Sequence, residues 1–414
     1  MKRLFVLPVL FLTLLVGGCI SSDTVQKRAD ANADEVDATT IKIWMNLANV
    51  GDADAQVALG DLYIKGNGIP RDHKLAFKWF KYAADQGDAK GQHNLGWMYD
   101  TGTFVTQDSE IAQKWYKLAA GQGEAAAQNN LGVMYEKGEG LQQDFQTAIH
   151  LYKLAAEQDY AEAQFNLGWM HYKGKGVPQD YLEAFDWYKL AAKQGFARAQ
   201  SNLGHMYSQG EGVPRNYEIA ANWYKLASKQ GYALAQYRLG RRYFDGKGVP
   251  KNDEKALKWL TLAAEQGHAK AQTAVGFMHQ KGLGVPEDQK VAVKWYTLAA
   301  ENENALAQLN LARMYSHGTG VPKDHNIAVK WIRLAAEQGN VEAQTLLGLS
   351  YFIGQGLQQD FTKSLMWLNI AKLRGHDEAR KYIDEIESVI KPAQRKKAQV
   401  SADAWIEKHK KIAH

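Results

Sequence analysis

Polar and apolar positions along this chain repeat every 36 residues. Gln56 returns as Gln92, Gln128, Gln164, Gln200, Gln236, Gln272, Gln308 and Gln344, with no insertion between copies. Nine in-phase units result, each of the form AQFNLGWMHYKGKGVPQDYLEAFDWYKLAAKQGFA (163–197). A fixed period of this size marks a stacked-repeat architecture. Within a unit the apolar spacing is helical. Ala163, Leu167 and His171 (Tyr in seven of nine copies) recur four apart and form one face of a first helix. Gly168 beside that face allows a neighbouring helix to come close. Gly174 and Gly176 end the helix, because glycine accepts left-handed backbone. Pro178 then leads to Asp180, a position held by Asp or Asn in every unit: Asp72, Asp108, Asp144, Asp180, Asn216, Asn252, Asp288, Asp324 and Asp360. These are the expected N-caps of the second helix, worth about 1 kcal/mol each. The second helix places Ala184, Trp187 and Ala191 on its inner face and closes at Gly195. Trp187 is Trp in eight units, with Leu151 the exception. A side chain able to bury roughly 150–250 Å² is assigned to the core.

One helix pair cannot bury both of its faces, so the units are expected to stack into a solenoid. The nine copies resemble the Sel1-like repeat family, relatives of tetratricopeptide repeats with two extra residues per unit, over residues 53–379. The resemblance implies an all-α fold, a right-handed α/α superhelical solenoid of nine 36-residue helix-turn-helix repeats. Residues 39–52 read as an N-terminal capping helix, with Trp44 and Leu47 turned to the first full unit. Residues 380–414 read as two C-terminal capping helices, KYIDEIESVI and a second from Pro392 to about Lys410.

The chain start has a different pattern. Lys2 and Arg3 precede an apolar run from Leu4 to Val16, and Gly17 and Gly18 supply small residues for cleavage. That is a secretory signal peptide over 1–18, too short to span a bilayer. Cys19 follows, the only cysteine in the chain. The VGGC ending resembles the lipobox of bacterial lipoproteins, which implies that Cys19 is lipidated and becomes the mature N-terminus. The alternative is an ordinary signal peptide with an incidental cysteine, although a free thiol in a secreted protein is a liability. Several acyl chains would hold the protein at a bilayer nearly permanently, since each buried CH₂ contributes about 0.8 kcal/mol. Ile20, rather than Asp, follows Cys19; by resemblance to lipoprotein sorting this points to the outer membrane, facing the periplasm. Residues 19–38 are polar and without periodicity, as in a flexible tether.

One cysteine permits no structural disulfide, so stability must come from packing. The formal charge is +5, and residues 391–414 carry seven Lys or Arg against two Asp or Glu. The repeat body is therefore near neutral, which argues against a nucleic-acid surface. The basic tail fits either a contact with anionic lipid or glycan, or a solvated capping helix with Ala398, Ala402, Trp405 and Ile406 packed inward; capping is the expectation.

Catalytic patterns are sparse. No two of the twelve histidines sit three or four apart, so no helix offers a paired metal face. There is no G-x-S-x-G elbow, and the G-x-G pairs follow helices rather than strands. Some Sel1-like proteins have been labelled β-lactamases, and one S-x-x-K match exists, Ser388–Lys391. It has no S-D-N or K-T-G partner. The chain is expected to be no enzyme, with no catalytic residues, metal or cofactor.

Binding is expected where repeat positions vary. Residues one, five and eight after each Gln share a helix face. The first row is Val57, His93, Asn129, Phe165, Ser201, Tyr237, Thr273, Leu309 and Thr345. The second includes Trp97, Trp169, His205, Arg241, Phe277 and Arg313, and the third Tyr172 and Phe244. In tetratricopeptide-like solenoids the first helix lines the concave side, so by resemblance these rows form a groove. Aromatics and arginines are enriched at binding hot spots. Trp97, Phe165, Trp169, Tyr172, His205, Tyr237, Arg241, Phe244, Phe277 and Arg313 are the candidate groove residues; packing between repeats is the competing role. The resulting reading is an outer-membrane-anchored scaffold that binds an envelope protein in its groove. The alternative is a module that binds peptidoglycan or another glycan.

Overall fold

The structure, a computed structural model, describes residues 36–409. The signal peptide, Cys19, most of the tether and the last five residues of the basic tail lie outside the described residues. Among the described residues all regular structure is α-helical. Helix α1 (Ala38–Asn49) comes first and alone. Four pairs follow: α2 (Ala53–Lys65) with α3 (His73–Asp85), α4 (Ala89–Thr101) with α5 (Ser109–Gly121), α6 (Ala125–Lys137) with α7 (Phe145–Ala156), and α8 (Ala161–Lys173) with α9 (Tyr181–Lys193). Five more are α10 (Ala197–Gln209) with α11 (Tyr217–Lys229), α12 (Ala233–Asp245) with α13 (Asp253–Glu265), α14 (Ala269–Lys281) with α15 (Gln289–Glu301), α16 (Ala305–His317) with α17 (His325–Glu337), and α18 (Val341–Ile353) with α19 (Phe361–Leu373). Helices α20 (Ala379–Val389) and α21 (Pro392–Lys408) close the chain. The chain forms two compact units that divide after Ala191. Within each, a first helix packs on its own second helix and on the second helix before it. This is the all-α repeat architecture expected of a solenoid.

Local chemistry sets these boundaries. Each of the nine Asp/Asn side chains accepts a hydrogen bond from a backbone N–H two or three residues on, as Asp108 does from Ile111 at 2.9 Å. The backbone N–H of the same residue donates to the carbonyl nine residues back, as Asp108 does to Tyr99 at 2.9 Å. Cap and loop are thereby fixed together. The first helices end at glycines with φ between 64° and 82°, so the left-handed cap is met without a Cβ penalty. The second glycine of the G-x-G pair has another role. A Cβ on Gly248 would lie 2.0 Å from the Tyr217 carbonyl oxygen of the preceding repeat, so only glycine lets the loop seat there.

The core corrects one expectation. The buried member of each second helix is the residue after the tryptophan. Tyr116, Tyr152, Tyr188 and Tyr296 are fully buried, and Phe80, Tyr224 and Leu260 nearly so. Trp187 is only half-buried, and its Nε1 donates to Glu183 at 2.8 Å. Most of its counterparts are half-buried too, at the margins of the core clusters. The reason is rotation about the helix. Tyr188 stands four residues from Ala184 and meets the gap left by Gly168, whereas Trp187, 100° away, faces the edge.

A ladder of buried glutamines joins the repeats. Gln200 donates to the carbonyl of Ala192 at 3.2 Å and accepts from Gln230 at 2.9 Å. The same double bond recurs at Gln56, Gln128, Gln236, Gln272 and Gln308, with Asn302 replacing the second Gln in one copy. At Gln344 the acceptor oxygen is unpaired, because Arg374 occupies the donor's place.

The caps bury what the end repeats expose. Ile41, Trp44 and Ala48 are buried against the first repeat, with Leu47 at the margin. Ala398 and Ala402 of α21 are buried, and Trp405 meets Trp367 at 5.8 Å. Ser388 is exposed at the end of α20, where its hydroxyl donates to the Glu385 carbonyl.

Candidate partner-binding site

The candidate rows lie on the first helices, held in register by the N-caps and the glutamine ladder. Their first row is mostly not surface. Val57, Asn129, Phe165, Ser201, Thr273, Leu309 and Thr345 are buried, so the row packs between helices. Phe165 is 5% exposed, its ring centroid 5.5 Å from that of Tyr188. This removes Phe165 from the groove surface. The cause is geometric: the position directly after the buried Gln shares part of its inward arc.

In the first unit the remaining candidates lie half-buried. Trp97 packs against the clusters on either side of it. Trp169 and Tyr172 stack with centroids 6.1 Å apart, and the Lys173 ammonium lies over both rings at 4.9 and 5.3 Å. Charges of both signs accompany these rings. Asp61 and Asp100 have their carboxyls held above the usual range by burial, and Glu136 pairs with Lys175 at 3.0 Å.

The second unit brings candidates together. Tyr237, Arg241, Phe244 and Phe277 line one cavity of about 670 Å³, set among α12, α14, α16 and the start of α18. Phe244 and Phe277 meet edge to face at 6.4 Å, and the Arg241 guanidinium lies 6.0 Å from the Phe244 centroid. Tyr237 stacks on His268 at 4.6 Å. His268 also caps α14, its Nδ1 accepting from the Ala271 N–H at 3.1 Å, and burial holds its pKa below the ordinary histidine value. Phe277 is 37% exposed, so the cavity opens to solvent along an aromatic wall. His205 and Arg313 stand outside this lining. The His205 Nε2 is 3.9 Å from Glu211, and Arg313 is ion-paired with Glu342.

The sequence pattern missed Lys270, Asn304, Asn310 and Asn340, which complete the polar lining. Asn304 and Asn340 cap α16 and α18 through Oδ1, at 3.0 and 2.9 Å. A signal for these two was present: polar capping types immediately before a first helix, one period apart. Among the described residues no group of three or more His, Cys, Asp or Glu is placed to hold a metal ion, and no helix is long and apolar enough to cross a membrane.

Comparison with known proteins agrees with this construction. The Sel1 repeat model matches nine consecutive stretches that fill residues 53–376. A Sel1 repeat protein from Oxalobacter formigenes is 34% identical with a TM-score of 0.55, covering 79% of this chain and 92% of its own. A protective antigen present in uropathogenic Escherichia coli strains, displaying an SLR fold, is 29% identical with a TM-score of 0.52. That match covers 94% of this chain and 92% of the antigen. Among curated proteins none matches the chain.

Proposed function

The chain belongs to the Sel1 repeat family, and on that premise we propose that it is a non-catalytic adaptor that holds a protein partner against its first helices. The observation that carries this is the cavity of the second unit, where Tyr237, Arg241, Phe244 and Phe277 share one solvent-open lining. Aromatics and arginine around a concavity are the composition of interface hot spots. We further propose, from the N-terminal residues, that Cys19 is acylated and that the body faces the periplasm from the outer membrane.

Two experiments test these parts separately. A photo-crosslinking residue at position 277 in cells is expected to give a discrete protein adduct, with none from the exposed Lys189 position. Adducts from both positions alike, or from neither, would contradict the adaptor role. Radiolabelled palmitate is expected on the wild-type chain and absent after Cys19→Ser. An unlabelled wild-type chain beside a labelled control lipoprotein refutes the anchor.

A further inference from the structure

The cavity of the second unit is rich in donors and poor in carboxylates. No Asp or Glu lines it, while Arg241 and Lys270 stand on its wall. Arg241 has Asp245 at 3.5 Å, a partner outside the lining, and no carboxylate pairs with Lys270 among the described residues. Asn304 and Asn340 use Oδ1 for capping, and Asn304 accepts there from Thr273 Oγ1 as well, at 3.1 Å. Each therefore keeps the two N–H donors of its Nδ2 for a ligand. The caps fix these side chains, so little rotamer freedom is lost on binding. Beside the donors lies an apolar wall of Tyr237, Phe244 and Phe277. Two cations and free amide N–H groups with no carboxylate in the lining favour an anion, and guanidinium, ammonium and amide N–H groups bind carboxylates through charge-assisted hydrogen bonds. The adjoining rings select a bulky apolar group next to that charge.

We propose that this cavity recognises an extended peptide segment in which an Asp or Glu carboxylate adjoins a bulky apolar side chain. The carboxylate engages Arg241, Lys270 and the Asn304 and Asn340 amides, and the apolar side chain lies on Phe244 and Phe277. This rests on the adaptor reading above and names the chemistry of its partner at this site. A cavity of about 670 Å³ has room for a few residues and lies in the range of small-ligand pockets. It is thus a specificity pocket within a longer contact.

The test is selection of phage-displayed random dodecapeptides on the full chain, followed by fluorescence polarisation of the enriched peptides. Enriched peptides are expected to carry Asp or Glu beside Phe, Leu, Ile or Met. Their Asn or Gln isosteres are expected to bind about tenfold more weakly, as is the Arg241→Gln/Lys270→Gln double variant. Both cations are exposed, so the variant should keep its helical circular dichroism. Enriched peptides without an acidic position, which lose binding in Phe277→Ala, would overturn the carboxylate inference and leave the adaptor reading intact. No enrichment, or peptides bound equally by wild type and both variants, would overturn the two together.

Discussion

At most junctions a buried glutamine satisfies the carbonyl that ends the preceding helix and ties it to the repeat's own second helix. Gln200 makes both bonds while 5% exposed. Replacing it with Leu leaves the Ala192 carbonyl and the Gln230 amide without this partner. A buried polar group left unpaired costs about 1–3 kcal/mol, so Gln200→Leu is expected to destabilise by that amount in urea titration followed by circular dichroism. His268 gives a pH dependence whose sign follows from its burial. Its folded pKa lies below the ordinary value of 6.5, so as pH falls the unfolded chain takes up the proton first. Its contribution is complete above about pH 6.5 and is lost as pH drops through the window beneath it. Protonation of Nδ1 also removes the cap acceptor. The melting temperature is expected to fall between pH 7.5 and 5.5, and His268→Asn, which caps without titrating, should reduce that fall.

Between elements, glycine and aromatic meet as complementary shapes. A Cβ on Gly204 of α10 would stand 2.6 Å from a Tyr224 ring carbon of α11. Nature's own alternative appears one helix pair before the last, where Ala312 replaces the glycine and Ile332 the aromatic. Overpacking of this kind costs about 1–3 kcal/mol. Gly204→Ala is expected to lose that much stability, and adding Tyr224→Ile to recover most of it; a double-mutant cycle in urea measures the recovery. Glu303, at φ 57°, occupies a left-handed position that is glycine in most other repeats. Left-handed backbone costs a non-glycine residue about 1–2 kcal/mol, partly offset by the greater freedom of glycine in the unfolded chain. Glu303→Gly is expected to stabilise by up to about 1 kcal/mol, read as a higher urea midpoint.

At the scale of the whole molecule, each repeat is covered only by its neighbours, so an end must be capped. Leu365, Leu368 and Ala371 of α19 share a core cluster with Ile383, Ile386 and Ala398 of the closing helices. Ending the chain after Asp377 uncovers that cluster. The expected result is aggregation and faster amide exchange concentrated in residues 341–376, with the first unit little changed. Uniform loss of protection across the chain would contradict nearest-neighbour stability.

Helix placement, N-caps, αL glycines and capping helices were legible from residues alone, because each depends on local backbone chemistry repeated nine times. Nine copies of one pattern also identified the family. What faced inward was harder to read. Trp187 and Tyr188 are adjacent, equally apolar in pattern and 100° apart, and only the gap at Gly168 decides which is buried. The same holds for Phe165, whose variability suggested surface but whose neighbours enclose it. The cavity joins residues from Tyr237 to Asn340, more than two periods apart. A periodic sequence determines the repeated unit, since hydrogen bonds and helical spacing act over a few residues. Tertiary structure decides which variable positions converge, since that depends on the packing of one unit on the next.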